Sequence, residues 1–370
     1  MTHRIALFVH SLRSCWNHGN AHFLRGIARE LIARGHSVRA LEPADGWSFA
    51  NLAADHGAVG TSAFAEIYPE LTPEIYDSVE EAAEAAQSAD VVIVHEWNDP
   101  ALVATLGALR AASARFLLLF HDTHHRAVTD PQAIRAFDLS AYDGVLAFGE
   151  ALAERYRQWG WGDRVFTWHE AADTTVFRPP ATPQPREGVV WIGNWGDGER
   201  TDALREFVFD PVRDTGLPLD VYGVRYPDDA RALLGARGAR FHGWLANARA
   251  PDVFARHLAT VHVPRRAYAT ALPGIPTIRI FEALACGIPL ISAPWHDAEG
   301  LFRDGDFLRA RNGVEMGRHL AALRDDRSFR AALVESGLAT IRARHTCAHR
   351  VDELLGIVRM FRESPALAAL

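Results

Sequence analysis

The feature that most constrains the fold is an alternation of strand and helix signals along nearly the whole chain. Ile5 to Val9 is a compact apolar run, the pattern of a strand covered on both faces. A glycine-bearing loop, Trp16 to Asn20, leads into Ala21 to Arg34, where Phe23, Leu24, Ile27, Ala28, Leu31 and Ile32 recur at helical spacing. Gly35 stops that helix, and Val38 to Leu41 reads as the next strand. Further strands are expected at Val91 to Val94, Phe116 to Phe120 and Val145 to Phe148, with helices near Ala101 to Ala112 and Glu150 to Trp159. Such alternation predicts α/β architecture, with parallel sheets and helices on both faces.

Phe177 to Pro185 interrupts the rhythm with four prolines, which block a helix and disfavour an interior strand. The pattern then restarts. Strands are expected at Val189 to Ile192, Leu219 to Val221, Arg240 to Phe241, Val261 to Val263 and Pro289 to Ser292, a helix near Thr201 to Phe209, and a helical tail from about Arg327. At 370 residues the chain suits two domains sharing a cleft. The expected division is residues 1–176, 177–345, and a C-terminal helical segment 346–370 packing back on the first domain. Ligands belong beyond the carboxyl ends of the strands.

Composition removes several classes. No lysine occurs, so all 39 basic side chains are arginine. This excludes a Schiff-base or P-loop lysine and leaves phosphate to arginine forks. A net charge of -7 argues against nucleic acid as partner. Cys15, Cys286 and Cys347 are far apart and form no disulfide or zinc pattern. No apolar run reaches membrane-spanning length, and the start reads as a strand rather than a signal peptide. A cytoplasmic location, and a monomer or homodimer, are the expectations.

Pro273 to Ser292 carries the strongest chemistry. A Gly/Pro loop is followed by a short helix, a stop at Gly287 and a buried strand. The helix N-terminus beyond Gly274 and Thr277 suits a diphosphate. Arg279 and Glu282 share a helix face, so Arg279 suits phosphate and Glu282 a ribose diol; the plain alternative is an intrahelical ion pair. After the FLLLF strand comes His121-Asp122-Thr123-His124-His125. His121 or Asp122 is a candidate general base, since an imidazole ordinarily titrates near neutral pH. A metal site and a bland surface loop are the competing readings, with metal ranked lowest. His18, Gly19 and Asn20 end the first strand's loop. Gly19 permits close backbone approach, and the alternative is an ordinary turn with Asn20 as N-cap. His95, Glu96, Trp97, Asn98 and Asp99 follow another strand as candidates to line the acceptor side, Glu96 as a base for an inverting reaction and Trp97 as a stacking platform, with core packing as the plain alternative for Trp97.

Phe281 to Ile291 resembles the glutamate–alanine–small–x–glycine–x–proline signature of GT-B glycosyltransferases, in the large GT4-like group and, within it, CgeB-type spore-maturation-like enzymes. Ala172 to Pro179 resembles the hinge motif that closes the first domain. Ile192 to Gly198 resembles the loop after the first donor-domain strand, and Phe241 to Trp244 the glycine turn near the nucleotide base. The resemblance implies a GT-B fold, two Rossmann-like domains facing across a cleft. It implies transfer of a sugar from a nucleotide-diphosphate sugar, UDP-hexose by default, to an unidentified acceptor that is a small molecule, glycan or protein. The reaction would be retaining and metal-independent, with no cofactor beyond the sugar nucleotide. Glu282 would bind ribose, Gly193 and Asn194 would lie under phosphates or sugar, and Gly243 would stand near the base. His121 would contact the sugar or acceptor.

Two departures stand out. Many GT4 enzymes carry a second glutamate where this chain has Gly274. The usual phosphate lysine is also absent, leaving Arg200, Arg225, Arg265, Arg266 and Arg279 as replacements. Rival readings are a GT-B-type sugar-nucleotide epimerase and a non-catalytic nucleotide-sugar-binding or coat-associated module. A dinucleotide-dependent dehydrogenase is weaker, because no G-x-G-x-x-G follows the first strand.

Overall fold

The computed structural model describes residues 2–112, 115–195 and 198–363. Gly196 and Asp197, in the loop singled out above, and the last seven residues of the C-terminal segment lie outside them. By contacts the chain divides into two compact units. One runs to Glu170 and takes in the final helix, Cys347–Glu363; the other is Ala171–Thr346.

The first unit holds β1 (Arg4–Phe8), β2 (Ser37–Pro43), β3 (Glu74–Tyr76), β4 (Val91–His95), β5 (Leu117–Asp122), β6 (Gly144–Ala147) and β7 (Val165–Thr167). They form one parallel sheet in the order β3-β2-β1-β4-β5-β6-β7. Every residue of β4 and β6 is buried. That burial matches the unbroken apolar runs that mark them in the sequence. The final helix packs on the helix Ala21–Ala33, fastened where Arg34 Nη2 donates to Ala348 O at 2.9 Å. Trp168 Nε1 donates to Arg350 O at 2.8 Å.

The second unit holds β8 (Val189–Ile192), β9 (Leu219–Tyr222), β10 (Arg240–Gly243), β11 (Ala259–His262), β12 (Leu290–Ser292) and β13 (Leu308–Arg309), parallel in the order β10-β9-β8-β11-β12-β13. Its core gathers Val189, Trp191, Val221, Val261 and Ile291 from four strands. Both sheets therefore repeat the doubly wound 3-2-1-4-5-6 order. Each has a switch point, between β1 and β4 and between β8 and β11, where crossovers diverge and leave a crevice at the strand ends. No helix of the described residues is long and apolar enough to cross a membrane.

The strand ends of the second unit approach very closely. A Cβ added to Gly223 would lie 2.1 Å from the carbonyl oxygen of Gly193. Gly223→Ala should therefore push apart the loops after β8 and β9 and cost about 2 kcal/mol or more. Gly235→Ala, at a helical position with nothing within 4 Å, should instead stabilise by roughly 0.5–1 kcal/mol. Urea denaturation of the two variants checks this; equal effects would refute the close approach.

Candidate active site

In the first unit the candidate residues converge at the switch point. His121 and Asp122 are not in a loop, as the sequence suggested, but are the last two residues of β5. The strand continues because His121 pairs with His95 across the ladder and Asp122 with Ala147. Asp122 is fully buried, accepts a 2.7 Å bond from Tyr156 OH and a 3.0 Å bond from the His124 amide. Glu96, also fully buried, pairs with Arg126, whose guanidinium lies 4.2 Å from the centre of the Trp97 ring. Asn20 makes no side-chain cap to its helix; its amide instead reaches Thr123 Oγ1, which bonds His95 Nε2 at 3.0 Å. The loop carrying His18 is anchored by Glu42, which accepts from Ser11 Oγ at 3.0 Å and Arg13 Nε at 3.0 Å. Gly19 is exposed beside it.

His10, His95, Thr123 and Arg126 complete this cluster, and of these His10 and Arg126 were not singled out from sequence. His10 and His18 ring centroids are 5.2 Å apart, His18 and His95 6.3 Å, His95 and His121 5.3 Å. Both ring nitrogens of His121 lack a hydrogen-bond partner, as do His10 Nε2, His18 Nε2 and His95 Nδ1. Each such buried atom costs about 1–3 kcal/mol. Among the described residues no group of three or more His, Cys, Asp or Glu is arranged to hold a metal ion. A recess of about 750 Å³ with Trp159, Trp161, Arg135 and Arg164 in its lining shares only Tyr156 with the cluster.

Burial sets the electrostatics. It pushes His121 down to about 3 and His10 down to about 4. His18 and His95 are lowered well below the ordinary value, first by burial and then by their neighbours. Burial thus favours the neutral form of the His121 ring, below the range in which a free imidazole titrates. Burial raises both Glu96 and Asp122; the Asp122 charge adds to the rise at Glu96 against the pull of Arg126, while bonds from Tyr156 and the His124 amide oppose it at Asp122.

In the second unit Glu282 is fully buried on the helix Ile278–Ala285. Its Oε1 accepts from Asn247 Nδ2 at 2.6 Å, and its Oε2 pairs with Arg279. The intrahelical pair is therefore present, with Asn247 as a third partner that sequence reasoning missed. Thr277 is the N-cap and makes no side-chain cap bond. Gly274 sits at φ 89°, and a Cβ there would fall 2.6 Å from Glu299 Cγ and 2.8 Å from its Oε1. A carboxylate from a later loop thus occupies the space beside Gly274, which no local pattern signals.

The other candidates stand at or just after the carboxyl ends of β8, β9, β10 and β11. Arg200 ties the ends of β8 and β11 together, donating to Asn194 O and, at 3.1 Å, to Val263 O. Asn194 Oδ1 accepts from the Val224 amide at 3.0 Å, and Gly193 O from Tyr226 OH at 2.8 Å. Gly243, at φ 73°, accepts at its carbonyl from Gly223 N at 2.8 Å. Arg265 lies 3.7 Å from Glu199. The Arg266 amide bonds the same carboxylate at 2.6 Å. Arg225 lines a recess of about 1020 Å³ with Arg205, Trp195 and Tyr226, whose lining includes none of Gly274 to Glu282.

The lowered histidines fix a pH dependence. A folded pKa below the unfolded value of about 6.5 means stability is complete above about pH 6.5 and is lost as pH falls toward the folded value. The loss is about 1.4 kcal/mol per pH unit for each ring that stays neutral. His10, His18, His95, His121 and His262 all act in this sense. Glu96 and Asp122, being raised, act oppositely but are fewer. The melting temperature should fall between pH 7 and pH 5, less steeply in His121→Phe. A flat profile would contradict the neutral buried rings.

Two family models match the chain, one described as Glycosyltransferase Family 4 over residues 19–176, the other as glycosyl transferase-like over residues 200–356. No curated protein sequence matches it. Among solved structures it resembles an alpha-glucosyltransferase in complex with UDP and DNA, at 11% identity, 97% and 99% coverage of the two chains and a TM-score of 0.72. HepE from Anabaena, in complex with UDP and glucose, shares 15% identity over 96% and 99%, with a TM-score of 0.69. T4 phage BGT, in complex with its UDP-glucose substrate, shares 14% over 96% and 99%, with a TM-score of 0.58. The fold is thus shared over almost the whole chain, and with a glycosyltransferase model matching in each half, this protein belongs to the GT-B glycosyltransferases.

Proposed function

We propose that this enzyme transfers a hexosyl group from a UDP-hexose to a hydroxyl acceptor with retention of anomeric configuration and without a metal ion, in the cytoplasm. The observation that carries the reading is the buried Glu282, held between Asn247 and Arg279 on a helix whose N-cap Thr277 supplies no side-chain oxygen to the first amides. A fixed carboxylate suits the two hydroxyls of a ribose. Uncapped amides and the helix dipole suit the diphosphate beside it. The likeness to structures that hold UDP or UDP-glucose supports uridine as the base.

Glu299, beside Gly274, would accept hydrogen bonds from the hexose hydroxyls, the task a side chain at residue 274 cannot perform. In the transfer the C1–O bond to the β-phosphate breaks as C1 bonds the acceptor oxygen. The acceptor proton passes to the departing phosphate on the same face. Arginines and helix amides meet the charge that develops on that phosphate, which is where contacts accelerate reaction. Asp122 is held by Tyr156 and the His124 amide, whereas Glu96 pairs with Arg126 through one oxygen while its Oε1 has no hydrogen-bond partner, so Glu96 is the carboxylate an inverting attack would use as base. Nucleic acid, present with the alpha-glucosyltransferase, is a poor acceptor for a chain of net charge -7.

Thermal-shift titration with UDP should stabilise the wild type, and Glu282→Gln should weaken UDP by roughly tenfold. Glu299→Gln should keep UDP affinity yet raise KM for the UDP-hexose by a similar factor. Proton NMR of the product should show the donor's anomeric configuration. Absence of any UDP stabilisation at millimolar concentration, or an inverted product, would defeat the respective part of the proposal.

A further inference from the structure

We propose that the second unit carries an anion site at the amino ends of β8 and β12, where Arg186, Arg327 and Arg330 grip the phosphoryl group of a small phosphorylated compound. The proposal does not rest on the glycosyl-transfer reading. The donor candidates that follow β8 and β11 stand at the carboxyl ends, the opposite end of the same sheet.

A recess of about 450 Å³ opens there. Arg186 reaches it from the segment that leads into β8. Arg327 and Arg330 come from the first turn of the helix Arg327–Arg344, three residues apart and so on one face. Among the described residues Gln184 is the only other polar side chain in the lining; the rest is proline, alanine and valine, and no carboxylate takes part. Arg186 Nη1 donates to Gly287 O at 2.8 Å, and Val334 of the lining would meet a Cβ added to Gly287 at 3.2 Å. Gly287 follows the helix that carries Glu282, so the recess backs onto the carboxyl end of that helix.

Three like charges around one recess repel, and the half-buried Arg186 and Arg330 are partly withdrawn from water. Burial lowers the Arg186 guanidinium from its ordinary value, and the Arg330 charge adds to this against a pull from Cys286. Among the described residues none of the three pairs with a carboxylate. Asp325 pairs with Arg324, and Asp326 accepts from the Phe329 amide at 2.9 Å. Arg126 and Arg279, by contrast, each face a buried glutamate. Arg330 Nη1 donates to Leu323 O and, at 3.0 Å, to Arg324 O. Arg186 and Arg330 thus each engage the backbone through Nη1, which leaves Nε and Nη2 of each for a partner from solution. A phosphoryl group matches this set. It brings close to two negative charges and three acceptor oxygens, and each guanidinium can grip it through paired hydrogen bonds. A neutral ligand would leave the repulsion unrelieved, and a carboxylate offers one charge and two oxygens. The volume lies in the range of small-molecule pockets.

The test is isothermal titration calorimetry on the full chain in saturating UDP, at constant ionic strength, so that the donor residues do not compete for the probe. The probes are inorganic phosphate, pyrophosphate and glucose 6-phosphate, with acetate and chloride as controls. At least one phosphate probe should bind, and the controls should not. Arg327→Gln and Arg186→Gln should each weaken it by roughly tenfold. Arg327 is exposed, so its variant folds even if loss of the Gly287 bond disturbs the other. Arg186→Lys, which keeps the charge without the fork, should recover only part of the binding. UDP stabilisation should be unchanged in Arg327→Gln. Stronger binding of glucose 6-phosphate would name a phosphate ester as the ligand, and stronger binding of pyrophosphate an inorganic phosphate; either upholds the site. Acetate or chloride binding as tightly as phosphate, phosphate binding untouched by both glutamine variants, or no phosphate binding at millimolar concentration would overturn the proposal. Phosphate binding that falls in Arg327→Gln while UDP fails to bind at all would leave the site standing and remove the donor assignment instead.

Discussion

Burial of the strand ends is the constraint on which the rest of the structure depends. Both sheets are wholly parallel, so helices cover their faces and the strand ends are where the backbone leaves the core at a switch point. Polar side chains placed there are drawn out of water, and each must then be matched. In the second unit Glu282 is bonded by Asn247 and Arg279, and Arg200 donates to the carbonyls of Asn194 and Val263. In the first, Glu96 pairs with Arg126 and Asp122 with Tyr156, while Glu96 Oε1 and nitrogens of four imidazoles have no hydrogen-bond partner.

The all-arginine complement shapes how charge is used. Arg126 lies over Trp97 while pairing Glu96, and Arg200 spans two loops by bonding their carbonyls. Both uses exploit a planar fork that an ammonium group lacks. Breaking a pair as buried as Glu96–Arg126 typically costs about 3–5 kcal/mol. These arginines therefore brace the strand ends as well as offering charge.

Much of the fold was legible because buried parallel strands advertise themselves. The runs around Val91 and Val189, and the Pro-rich break after Phe177, needed no tertiary information. The short strands β3, β7 and β13 carry only two or three residues each and too little periodicity to be seen. The helix Trp47–Ile67 is broken at Gly57 by a non-helical backbone, and its sequence gave no clean stripe. Glu282 and Arg279 were legible through a local signature and His121 through its place after a strand. Asn20 was readable as a cap but spends its side chain on Thr123, more than a hundred residues away. Asn247, Glu299 and His10 join the sites only through long-range packing, and no spacing in the chain announces it.

The most direct measurement is hydrogen–deuterium exchange on the full chain with and without saturating UDP. Protection concentrated in the segments 193–200, 243–247 and 274–282, with the strand ends at 10, 95 and 121 little changed, is the predicted result. Protection confined to the first unit, or none in the segment 274–282, would contradict the assignment of the nucleotide to the Glu282 helix.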